Sequence, residues 1–87
     1  MFKLKSRLNE HNSTPIIINA VNEILVEQFL DKKISFNSFY RYLLQILNDR
    51  NYKKYAVKLP KNINQIYEID RWSRSIMKNK ILKKTNA

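Results

Sequence analysis

An 87-residue chain that is 44% apolar is enough for one small domain, whose high surface-to-volume ratio makes docking onto something larger physically attractive. It has no Cys, no Gly and a single His (His11), which excludes disulfides, thiolate metal sites and the glycine-dependent phosphate loops of dinucleotide and nucleoside-triphosphate folds. The formal charge of +10 is spread along the chain and reads first as solvated surface, while counterion release from phosphates keeps nucleic acid open as a less favoured partner.

In chain order, Phe2, Leu4 and Leu8 fit one side of a short helix, and His11-Asn12-Ser13 reads as a connection. Residues 14–30 are the clearest helix. Thr14 suits the N-cap, Pro15 the first helical position, and Ile17, Ile18, Val21, Ile24, Leu25 and Leu30 follow at helical spacing. A second helix begins after Ile34-Ser35-Phe36, with Ser35 or Asn37 as its cap, and ends near Asn48. Residues 49–61 are polar and basic, close on Pro60, and read as an extended connection. Asn62 opens the last helix, with Gln65 at capping-box spacing, and helical periodicity persists to about Lys80. The expected architecture is all-α: a small bundle of three to four helices with one longer connection before the last. Its divisions are a short N-terminal segment at 1–13, the bundle at 14–80 and a frayed basic tail at 81–87.

No apolar run approaches the ~20 residues of a membrane span, so no membrane partner is expected. Lys3, Lys5 and Arg7 are followed by none of the uncharged apolar stretch of a secretory signal, and a reducing cytoplasm is the expected compartment.

Catalytic and metal chemistry find little footing. Of seven carboxylates only Glu23 and Glu27, at i and i+4, form a plausible pair, and two carboxylates on a solvated helix face are ordinarily surface charge. His11 has only Ser13 nearby and reads as a surface histidine. Aromatics interleave with cations in Tyr40-Arg41-Tyr42, Tyr52-Lys53-Lys54-Tyr55 and Arg71-Trp72-Ser73-Arg74. Three readings stay open for them: core residues, anchors of a protein contact, or stacking platforms for single-stranded nucleic acid.

Three ordered segments resemble one family. Asn19-Ala20-Val21-Asn22-Glu23, followed by an apolar stretch and Phe29-Leu30, is similar to the opening helix of the C-terminal domain of 1-deoxy-D-xylulose-5-phosphate reductoisomerase, with Val21 the one departure from its Asn-Ala-Ala-Asn-Glu core. Lys33-Ile34-Ser35-Phe36 resembles its basic-Ile-x-Phe turn, and residues 42–47 stand where its aliphatic face stands. Asn62-Ile63-Asn64-Gln65-Ile66 and then Asp70-Arg71-Trp72-Ser73-Arg74 resemble its closing helix, with Ser73 in place of Ala. The resemblance runs over 14–74 and leaves 1–13 outside.

It implies a helical domain that braces an oxidoreductase of non-mevalonate isoprenoid synthesis. That enzyme uses NADPH and a divalent metal (Mg or Mn), both held by other domains, to convert 1-deoxy-D-xylulose 5-phosphate to 2-C-methyl-D-erythritol 4-phosphate. On this reading the 87 residues carry no catalytic, cofactor-binding or metal-binding residue. Asn19, Asn22, Glu23 and Trp72 are instead structural contacts to the catalytic and NADPH-binding domains, in the same chain or a separate one. The alternative is a small basic helical nucleic-acid-binding protein.

Overall fold

The computed structural model describes residues 10–86, with side chains through Leu82, so the short helix anticipated at 2–8 lies outside the described residues. Four α-helices and one 3₁₀ turn follow in order: α1 (Thr14–Leu30), the 3₁₀ turn (Phe36–Ser38), α2 (Phe39–Leu47), α3 (Tyr52–Ala56) and α4 (Ile63–Asn86). The fold is all-α, as expected, with no strand among the described residues. Helix α4 has 24 residues, about 36 Å at 1.5 Å per residue, and so matches the 37 Å long dimension of the molecule.

The core forms where the apolar stripes of the helices meet. Ile17, Val21, Ile24 and Leu25 of α1 bury against Ile69, Met77 and Ile81 of α4, while Tyr42, Ile46 and Leu47 of α2 and Tyr52 and Ala56 of α3 complete the cluster. Helix α1 packs most extensively on α4, and α2 touches both. Ser73 lies fully buried on the inner side of α4, and its hydroxyl donates to the Ile69 carbonyl at 2.8 Å, one turn back, so burial leaves no polar group unsatisfied there.

Four local details depart from expectation. The start of α1 has Pro at its first turn, but no side-chain cap. The Thr14 hydroxyl instead sits 2.7 Å from the Tyr52 hydroxyl, and Ser13 donates through Oγ to the Lys58 carbonyl at 2.6 Å and through its backbone N–H to the Ala56 carbonyl at 2.8 Å. These hydroxyls are buried, and a long-range partner satisfies them as well as a cap does. Residues 49–61 are not wholly extended, because Tyr52 and Ala56, four apart, bury one side of α3. Its first turn is seeded where Asp49 accepts the Asn51 N–H at 2.9 Å through Oδ1 and the Tyr52 N–H at 3.0 Å through its carbonyl. Helix α4 continues to Asn86, past the expected stop near Lys80.

At the entry to α2, neither Ser35 nor Asn37 makes the expected side-chain cap. The Ser35 carbonyl accepts from the Ser38 backbone N–H and hydroxyl at 3.1 and 2.6 Å, closing the 3₁₀ turn, and α2 begins one residue later. The Asn62 cap of α4 forms: its Oδ1 accepts the Gln65 N–H at 3.0 Å. Gln65 in return accepts the Lys61 N–H at 2.7 Å, one residue beyond the usual reciprocal position.

Candidate functional site

The residues singled out for contacts divide between two places. Glu23 is exposed on α1 and accepts a hydrogen bond from Nη2 of Arg74, whose Nε donates to Oδ2 of Asp70 at 2.8 Å. Asp70 and then Glu23 hold the Arg74 guanidinium above its ordinary pKa, so one cation ties α1 to α4 by pairing with two carboxylates. Asn19 and Asn22 lie on the same exposed side of α1 as Glu23. Trp72 is elsewhere: half-buried, it stacks on Tyr55 of α3 with ring centroids 4.4 Å apart and planes tilted by 14°. Lys58 and Lys54 lie 5.2 and 5.7 Å from the Tyr55 ring centroid. The arrangement therefore unites Glu23 with Arg74 and Asp70, and places Trp72 in the seam between α3 and α4.

The aromatic–basic interleaving resolves case by case. Tyr42 and Tyr52 are core residues, and the facing sides of Tyr55 and Trp72 are occupied by each other. Tyr52 also anchors a polar chain that sequence reasoning missed. Its hydroxyl donates to Oε1 of Glu10 at 2.7 Å and meets Thr14, and the His11 ring centroid lies 6.2 Å from its own. Nothing in the linear spacing of Glu10, Thr14 and Tyr52 signals this contact, since it closes over 38 and 42 residues.

The carboxylates are largely engaged with cations or hydroxyls. Lys80 Nζ reaches Oδ2 of Asp49 at 3.1 Å in a mostly buried pair, and Lys58 reaches Glu68 at 3.5 Å in an exposed one. Burial pushes the Asp49 carboxyl up, but the Asn51 N–H, Lys80 and Arg50 outweigh it and leave Asp49 below its ordinary pKa. Glu23 and Asp70 are bound to Arg74, Asp49 to Lys80 and Glu10 to Tyr52, and no three carboxylate or imidazole side chains gather to hold a metal ion among the described residues.

Two depressions line the outer side of α4. One, of about 470 Å³, is formed by Tyr67, Asp70, Arg71, Arg74, Ser75 and Lys78. The other, of about 160 Å³, is formed by Gln28 and Lys33 near the end of α1 with Lys78, Ile81 and Leu82. Lys78 lies on the wall of both, so the two adjoin along one side of α4, here termed its groove.

Fold and surface together define a small, cation-rich, all-helical domain. The chain belongs to the DXP reductoisomerase C-terminal domain family, whose description matches residues 1–76. That span takes in 1–13, which the motif resemblance leaves outside. A 1-deoxy-D-xylulose 5-phosphate reductoisomerase of Buchnera aphidicola subsp. Acyrthosiphon pisum (strain Tuc7) is 43% identical over 65 residues, 75% of this chain and 15% of the relative. Those of Francisella tularensis subsp. novicida (strain U112) and Thermodesulfovibrio yellowstonii are 35% identical over 66 residues and 27% identical over 74. These cover 76% and 85% of this chain but only 16% and 18% of the relatives. No solved structure matches. The chain thus spans about a sixth of the length of the curated relatives it matches.

Proposed function

We propose that these residues are a supporting, non-catalytic domain of a cytoplasmic 1-deoxy-D-xylulose 5-phosphate reductoisomerase. They hold its catalytic part in place while other domains supply NADPH, the divalent metal (Mg or Mn) and the substrate contacts. The observation that carries this reading is that four of the seven carboxylates, Glu10, Glu23, Asp49 and Asp70, are taken up by Tyr52, Arg74 and Lys80, whereas a metal-assisted reduction needs acidic ligands open to a cation. Rigidity supports it as well. An active site loses rate when its groups shift by ~1 Å, and a bundle cross-tied by Glu23–Arg74, Tyr55–Trp72 and Asp49–Lys80 is suited to resist such shifts. Asn19, Asn22 and Glu23 form the α1 side of the contact, and Trp72 acts indirectly by fixing α3 against α4.

The test is NADPH oxidation by the purified 87-residue chain with 1-deoxy-D-xylulose 5-phosphate and magnesium or manganese. The expected rate is no higher than that of the reagents alone, and turnover by the chain would refute the assignment.

A further inference from the structure

We infer that the groove along α4 is the seat of an acidic amphipathic segment of the reductoisomerase body, an inference that rests on the supporting role proposed above and adds where and by what chemistry it is exerted. The groove runs from Tyr67 to Leu82, about 22 Å of helix at 1.5 Å per residue, enough for some four turns of a docked helix. Its two components are distinct. Lys33, Arg71 and Lys78 are exposed cations with no ion pair among the described residues, whereas Arg74 is already paired with Asp70 on α4 and Glu23 on α1. Apolar surface is also open to water: Tyr67 and Leu82 are each 56% exposed, and Ile63, one turn before Tyr67, is 60% exposed.

Charge and apolar surface together select the occupant. A phosphate backbone would pair with the three cations but leave the apolar residues in water. A second copy of this chain, at +10, would bring like charge to a cationic groove. A protein segment presenting Asp or Glu beside Leu or Ile satisfies both components. The source lies at hand, because this chain corresponds to only 15–18% of its relatives and most of each relative is the body such a segment would come from.

The test uses the Buchnera relative with this chain in place of its own matching segment, compared with the free 87-residue chain. Lysines are labelled with an amine-reactive acetylating reagent, and lysine–carboxylate pairs are joined with a zero-length carbodiimide. Lys33 and Lys78 are expected to label about tenfold more slowly in the hybrid, as for groups covered about 90% of the time, and to cross-link to Asp or Glu of the body. Lys53 and Lys54 on α3 keep their reactivity. An active hybrid whose Lys33 and Lys78 label as fast as in the free chain overturns the groove and leaves the supporting role standing. A folded but inactive hybrid with the groove covered does the reverse.

Should the hybrid not fold, the free chain is titrated with a 20-residue Glu/Leu amphipathic peptide and, separately, with duplex DNA of equal charge. Peptide-induced amide shifts confined to residues 67–82, abolished in R71E/K78E, support the groove. Shifts elsewhere, or tighter binding of DNA, overturn it.

Discussion

Lys32 has a backbone φ of 62°, the left-handed region that a chain without glycine must fill with a residue carrying a Cβ. It is where α1 ends. The Lys33 N–H bonds the Gln28 carbonyl at 2.9 Å and the Lys32 N–H bonds the Phe29 carbonyl at 3.0 Å, the paired bonds of a Schellman stop. Lys32→Gly is expected to stabilise the domain by about 0.5–1 kcal/mol, read from denaturant unfolding. No gain would show that the Lys side chain repays its own strain. Asp49 contributes to the pH dependence of stability. Its folded pKa lies below the unfolded value, so its contribution is complete above the ordinary Asp value of about 3.9 and disappears as pH falls through the lower folded value. Asp49→Asn should therefore lower stability at neutral pH and flatten its decline below about pH 4, followed by unfolding at stepped pH. A decline of unchanged steepness would move the acid sensitivity to another carboxylate.

Among elements, the termini separate what sequence makes legible from what it does not. The cap of α4 is written locally, in Asn62 and Gln65, and it forms. Asn62→Ala should cost about 1 kcal/mol, with loss of far-UV helicity on mild heating. The start of α1 is only half legible: Pro15 marks the place, but Ser13 and Thr14 spend their hydroxyls on Lys58 and Tyr52, partners 45 and 38 residues away. Tyr52→Phe removes the group that serves both Thr14 and Glu10, and is expected to cost about 1–3 kcal/mol, measured by chemical unfolding. Helix α3 escapes sequence reading because five residues give too short a window for helical periodicity. The same limit applies to the contact residues. Glu23 and Trp72 are recognisable in sequence, but Arg74 and Tyr55, which fix what they do, are set by how α1 and α3 come to rest on α4.

For the molecule as a whole, the all-helical architecture was open to sequence reasoning because three apolar stripes of helical period leave little room for a sheet. The groove was not. Arg71 and Lys78 share one side of α4 by spacing alone, but only the packing of α1 brings Gln28 and Lys33 to the same depression and draws Arg74 into the pair with Glu23. A net charge of +10 then acquires a local meaning: part of it is compensated within the fold, and part lines one side of α4 beside exposed apolar residues.

The central claim, that these residues support catalysis without performing it, is tested most directly by NADPH oxidation in the Buchnera relative. The rate is compared for the enzyme cut before its matching segment and for the same enzyme carrying this chain there. The account predicts that the cut enzyme is slow, the hybrid recovers most of the parent rate, and the 87 residues alone oxidise no NADPH. A cut enzyme as fast as its parent, or a folded hybrid no faster than the cut enzyme, would contradict it.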